Sequence, residues 1–151
     1  MQIRKRAKQI CWLLTLIYFA SYVTRINFAV MMVKICSEMQ VEKTALAGIV
    51  TALTVAYGTG QIISGYIGDK IHPQYIITFG LVLTSACNIA MSSCTAIPLM
   101  TAVWGINGFA QAMLWPPVVR LMSTYLNDVE YGYGAVRVSW GSSFATIKFI
   151  K

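Results

Sequence analysis

Arg25 is the residue whose surroundings most demand a chemical explanation. It stands fourteen residues after Cys11 and eleven before Cys36, near the middle of a long apolar run. A cation at the centre of a bilayer costs about 2.5–3.5 kcal/mol on insertion scales, and more on an isolated helix. The position is too deep for easy snorkelling, and no acidic residue in its own helix is placed to pair with it. The cost falls if the guanidinium looks into a water-filled cavity and meets an anion. Tyr18, Tyr22 and Arg25 are spaced i, i+4, i+7, so they share one helical face. Two phenol hydroxyls and one planar guanidinium suit the oxygens of phosphate or carboxylate. The alternative is that Arg25 pairs with carbonyls or with an acid on another helix.

Other chemistry is sparse. The chain holds no P-loop, G-x-S-x-G elbow, H-E-x-x-H or paired carboxylates, so no catalytic residue is assigned and an enzyme is not expected. Cys11, Cys36, Cys87 and Cys94 form no C-x-x-C pair and have no His at ligand spacing. They read as small hydrophobes, with no metal and no cofactor. His72 lies in a charged turn and reads as a solvated loop residue, and the methionines and tryptophans suit lipid-facing or interfacial packing.

The elements that position these residues follow from composition. Of 151 residues, 57% are apolar and 11% charged, against about 25% charged in ordinary globular domains. Such a chain cannot cover a folded surface with polar groups, and the expected class is an all-α, multi-pass membrane protein. The net charge is +7, with Arg4, Lys5, Arg6 and Lys8 in a basic start over residues 1–9. The other cations lie apart between apolar stretches, so no nucleic-acid partner is expected; the bilayer is.

Apolar runs place spans at about 10–36, 45–68, 75–94 and 98–125, with a partial fifth over 135–151 that Lys148 and Lys151 interrupt. The 24 residues from Ala45 to Gly68 reach about 36 Å, enough for a hydrocarbon core of about 30 Å. Trp115-Pro116-Pro117 removes two backbone donors late in the fourth run, where a kink or break is expected. With the amino terminus cytoplasmic, Arg4, Lys5, Arg6, Lys8, Lys70 and Arg137 fall inside, Arg120 near them, and Lys34 and Lys43 outside. The expected location is the cell (plasma or inner) membrane. Gly65 and Gly68 are expected to permit close helix approach at the end of the second span. Asp128 and Glu130 are expected only to trim the charge of the loop after the fourth.

Gly65-x-x-x-Asp69-Lys70, between the second and third spans, resembles the signature loop of the major facilitator superfamily. Tyr22-Val23-Thr24-Arg25-Ile26-Asn27-Phe28-Ala29 resembles the first helix of the organophosphate:inorganic phosphate antiporters (glycerol-3-phosphate and hexose-phosphate transporter-like). So do Ala56-Tyr57-Gly58 and the stretch Gln111-Ala112-Met113-Leu114-Trp115-Pro116-Pro117-Val118-Val119-Arg120. The resemblance covers roughly Ile10 to Trp140. It implies that Arg25 is one of two arginines gripping a substrate phosphate, and that Tyr18 and Tyr22 line the same cavity. Gly65, Asp69 and Lys70 would belong to the cytoplasmic loop that governs switching, and Trp115, Pro116, Pro117 and Arg120 to the helix-four motif.

The implied mechanism is rocker-switch alternating access between two six-helix halves, exchanging a small organic anion such as a phosphate ester for phosphate. The chain departs from the family pattern at Gln61 and Ile26, where cations are common, at Phe144 in place of a histidine, and at Ala112 and Leu114. Fewer cations favour a monoanion or a polar sugar derivative. The second arginine belongs to a seventh helix, so the expected partner is a missing carboxyl-terminal half, and the chain is expected to be an amino-terminal fragment that does not transport alone. The competing expectation is a stand-alone four-helix membrane protein with a scaffold or interaction role.

Overall fold

Apolar runs of this length become helices because hydrocarbon offers the backbone no partner, so each N–H and C=O must be satisfied within its own segment. The computed structural model describes residues 3–150, with side chains as far as residue 146. Its helices are α1 (Lys5–Met39), α2 (Lys43–Gly68), α3 (Pro73–Ser92), α4 (Ile97–Ala112), α5 (Trp115–Tyr125) and α6 (Asp128–Ile150). Among the described residues there is no strand. α1, α2, α3 and the continuous stretch Ile97–Tyr125 are long and apolar enough to cross a membrane. Met1, Gln2, Lys151 and the side chain of Lys148 lie outside the described residues.

The fourth run is divided just ahead of its double proline. α4 closes with short-range bonds, Met113 N to Ala110 O and Leu114 N to Gln111 O, each 3.2 Å. Pro116 and Pro117 then sit in the first turn of α5, where a missing N–H leaves no bond broken. The helical pattern resumes as Val118 N donates to Leu114 O at 3.4 Å.

α6 starts at Asp128, seven residues before the expected Ala135. The reason is a reciprocal cap. Glu130 N donates to Asn127 Oδ1 at 2.9 Å, and Asn127 N donates to Glu130 Oε2 at 3.3 Å, which satisfies donors at the helix start. α6 is therefore 23 residues long, about 34 Å, and Arg137 lies within it rather than in a loop. Glu130 does not merely trim charge: it is 2% exposed. Arg4 donates to its carboxylate through Nη2 at 2.6 Å and Nε at 2.9 Å, and through its backbone N–H at 3.2 Å. This latch ties residue 4 to residue 130 and holds the starts of α1 and α6 together.

Two apolar clusters form the core. One joins Ala7, Cys11 and Leu14 of α1 to Ile77, Leu114, Val118, Met122, Leu126 and Val138. The other joins Phe28 to Leu46, Ile49, Leu53, Met100 and Trp104. The most extensive helix pairs are α2 with α4 and α1 with α6. α2 and α4 meet at Gly108, where a Cβ would lie 2.3 Å from Leu53 O. Gly65 and Gly68, expected to permit close approach, do not: a Cβ at either meets nothing within 4 Å. The close approach falls further back along α2, at Leu53 and at Gly60, where a Cβ would lie 2.8 Å from Ala112 Cβ.

Two outcomes follow from these contacts. The Gly108→Ala variant should lose at least about 2 kcal/mol by chemical unfolding in detergent, because backbone rather than a flexible side chain must move, while Gly65→Ala should stay within about 0.5 kcal/mol. The Arg4 guanidinium lowers the Glu130 carboxyl from an ordinary 4.5 to about 2. The latch's contribution is thus full above pH 4.5 and is lost as pH falls towards 2. Thermal melts should show an acid-side loss over that window that is absent in Glu130→Gln, itself destabilised at pH 7.

Candidate functional site

α1 buries Ala7, Cys11, Leu14, Ser21 and Phe28, a stripe with a period of three to four residues. Tyr18 and Arg25 fall on the same stripe, each half-buried, so Arg25 looks into the bundle. Its guanidinium carbon lies 4.5 Å from the centroid of the Tyr57 ring on α2. The ion pairs among the described residues are Arg4–Glu130 and Lys34–Glu38, so none neutralises Arg25. A cation held by a ring face gains about 0.5–2 kcal/mol and keeps its five N–H donors free for another ligand.

Tyr18 and Tyr22 stand together, with ring centroids 5.2 Å apart, and Tyr18 also packs on Trp115 of α5 at 5.1 Å. Gln61 Nε2 donates to Tyr57 Oη at 2.8 Å. The cluster therefore draws on α1, α2 and α5. Tyr57 was not among the expected site residues, although its depth offered a signal: it lies fourteen residues into α2 and eleven from its end, level with a residue in the middle of α1.

A polar layer beside the cluster joins α1 to α3 and α4. Ser21 Oγ donates to Gln111 Oε1 at 2.6 Å. Gln111 Nε2 faces Ser21 O at 3.1 Å, Thr24 Oγ1 at 3.0 Å and Thr84 Oγ1 at 2.9 Å. Thr84 Oγ1 donates to Asn107 Oδ1. Asn27 Nδ2 donates to Asn88 Oδ1 at 3.1 Å, and Asn88 Nδ2 to Thr84 O at 2.9 Å. Gln111 is 3% exposed and Thr84 and Asn107 are fully buried. The layer separates the two apolar clusters and fixes the rotation of α1 next to Arg25.

The expected switch-loop residues are less connected. Gly65 and Asp69 are exposed, and Asp69 makes no ion pair among the described residues. Lys70 Nζ donates to Tyr66 Oη at 2.7 Å. Arg120 reaches across from α5, and its Nη1 donates to Gly68 O and, at 3.3 Å, to Ile71 O. A guanidinium on the last carbonyl of α2 and on the turn after it satisfies orphan acceptors and complements the negative end of the helix dipole. Of the helix-four motif, Trp115 thus joins the aromatic cluster, Arg120 holds the loop, and Pro116 and Pro117 shape the turn. A cleft of about 690 Å³ opens elsewhere, between α1, α3 and α4, lined by Asn27, Asn88, Met100 and Trp104 among others. It contains none of Tyr18, Tyr22 or Arg25.

Comparison with known proteins gives a consistent picture. The profile of the Major Facilitator Superfamily matches residues 14–147. A "probable hexose phosphate transport protein" of Chlamydia trachomatis is 32% identical over 129 residues, covering 85% of this chain and 27% of the relative. A glycerol-3-phosphate transporter of Bacillus subtilis is 32% identical over 119 residues, covering 76% and 27%. The membrane sensor protein UhpC of Escherichia coli is 24% identical over 115 residues, covering 76% and 26%. The chain thus spans about a quarter of the length of the curated relatives it matches. No solved structure matches it significantly.

The polar layer generates a direct expectation. Gln111→Leu leaves the buried Ser21 hydroxyl without its acceptor and removes the amide that faces Thr24 and Thr84, and should cost about 1–3 kcal/mol in detergent unfolding. A loss within error would mean that the layer does not hold α1 in place.

Proposed function

The chain belongs to the Major Facilitator Superfamily, a family of membrane transporters rather than enzymes, and from that premise we propose that it forms part of a carrier for small phosphate-bearing anions. Its relatives include proteins named for hexose phosphate and glycerol-3-phosphate transport, which supports a phosphate ester as the substrate class, exchanged for inorganic phosphate. The observation that carries the reading is Arg25: an interior cation with no carboxylate partner among the described residues, held by a ring face that leaves its donors free. Tyr22 and Tyr18 stand about one and two turns before it and supply hydroxyls to the same ligand.

The relatives are nearly four times as long as the matched stretch, so the reading assigns closure of the site to a carboxyl-terminal half, with alternating access arising as the two halves rock about the midplane. In this scheme Gly65, Asp69 and Lys70 form the switching loop, which Arg120 supports through the carbonyls of Gly68 and Ile71. The amino terminus and that loop face the cytoplasm, in the plasma or inner membrane, following the excess of Lys and Arg on that side.

The test is uptake of labelled phosphate into phosphate-loaded proteoliposomes by the chain joined to its carboxyl-terminal half. A lysine keeps the charge and loses the planar fork, so Arg25→Lys should weaken half-saturation by about tenfold, the 1.4 kcal/mol expected for lost charge-assisted bonds. Wild-type affinity in that variant would remove the anion-gripping role, and absence of phosphate-dependent exchange in the unaltered protein would remove the carrier reading.

A further inference from the structure

The outer seam between α1 and α6 carries a second cation that the transport reading leaves unused. The two helices run parallel. Arg4 meets Glu130 at their starts, a Cβ at Gly134 would lie 3.1 Å from Cys11 Sγ, and one at Gly141 would lie 2.9 Å from Thr15 O. On the flank of this seam, the Arg137 guanidinium carbon lies 5.0 Å from the Trp12 ring centroid and 5.1 Å from that of Tyr133. The ion pairs among the described residues leave Arg137 unneutralised. As at Arg25, contact through ring faces fixes the guanidinium while its N–H donors stay free.

The surroundings of Arg137 are ordered by depth. Lys8 is four residues before Trp12 and Lys5 seven before it, so all three share a face of α1. That face lies away from the buried stripe of Ala7, Cys11 and Leu14, and all three side chains are exposed. Further along the same direction, Leu16, Trp140 and Phe144 are 58%, 58% and 61% exposed. From the helix starts inward, the flank therefore presents ammonium groups, then a guanidinium between aromatic side chains, then bare apolar surface. Nearby acids do not cancel it: Glu130 is engaged by Arg4, and Asp128 is nine residues from Arg137, half a turn away around α6.

We propose that this flank binds the phosphate headgroup of an anionic phospholipid, held by Arg137 and Lys8 with Trp12 and Tyr133 bracing the guanidinium, while the acyl chain lies along Leu16, Trp140 and Phe144. The order of groups matches a lipid entering the leaflet on the side of the basic amino terminus, headgroup first and hydrocarbon deeper. A soluble anion would gain nothing from the apolar stretch. The Arg4–Glu130 latch contributes by keeping the first turns of α1 and α6 level, so that Lys8 and Arg137 present to one headgroup.

The test uses the 151-residue chain in phosphatidylcholine vesicles and its own tryptophans as reporters, since Trp12 and Trp140 lie on the flank. Brominated phosphatidylglycerol and brominated phosphatidylcholine are compared as quenchers at equal mole fraction. The unaltered chain should prefer the glycerol lipid by about fivefold or more, the worth of one cation at an anionic surface. Lys8→Gln with Arg137→Gln should bring the two quenchers level, while Arg6→Gln, on another face of α1, should keep the preference. Equal quenching of the unaltered chain, an equal loss in Arg6→Gln, or loss of the preference on adding millimolar inorganic phosphate would each overturn the proposal, the last by showing a site for soluble anions.

Discussion

An arginine in the apolar middle of a membrane helix is tolerated only if something replaces water around it. In this chain the replacement is partial. Tyr57 offers its ring face at 4.5 Å, while no carboxylate among the described residues neutralises the charge. A quadrupole recovers only a fraction of what burial of a cation costs, so the remainder must come from an anion or from water admitted to the interior. This imbalance orders the rest of the bundle. α1 must keep its Arg25 stripe inward, and that requires the helix to be locked against rotation.

The lock is polar and sits at the same level. Gln111 alone meets groups on Ser21, Thr24 and Thr84, and tying α1 to α3 and α4 by hydrogen bonds fixes a rotational setting that apolar packing leaves loosely defined. Above and below, the two apolar clusters are served by close backbone approaches, Gly108 on Leu53 and Gly141 on Thr15. In lipid, where burial of apolar surface no longer drives association, small residues and buried hydrogen bonds carry helix packing. The layer and the glycines are thus two forms of the same solution.

What was legible in the sequence follows from the range of the signal. Spans and the depth of Arg25 are local properties, readable from hydropathy along one segment. The sharing of a face by Tyr18, Tyr22 and Arg25 is helical arithmetic. The Ser21–Gln111 bond joins residues ninety apart, and no periodicity within α1 or α4 announces it. The start of α6 was missed for a different reason. Asn127-Asp128-Val129-Glu130 carries the spacing of a capping box, but three polar or charged residues in four, with no apolar run directly after, read as loop until Arg4 is seen to bury Glu130. The glycines misled because Gly65 and Gly68 stand in a recognisable motif, whereas contact depends on which face meets a neighbour, and Gly108 does.

The distribution of packing then decides which contact is free to change. α2 packs most closely on α4, and α1 on α6, so the bundle is two tight pairs rather than an even cluster. Arg25 belongs to one pair and Tyr57 to the other, and their contact crosses the seam between them. A cation–π contact is weakly directional and survives small sliding, unlike a hydrogen bond such as that of Ser21 to Gln111, which is lost within an ångström. An anion approaching Arg25 meets donors already exposed and a cation held by the softest link nearby. The guanidinium can therefore take a ligand without first breaking a hydrogen bond, while the bonds between Ser21 and Gln111 hold α1 to α4 across the same boundary.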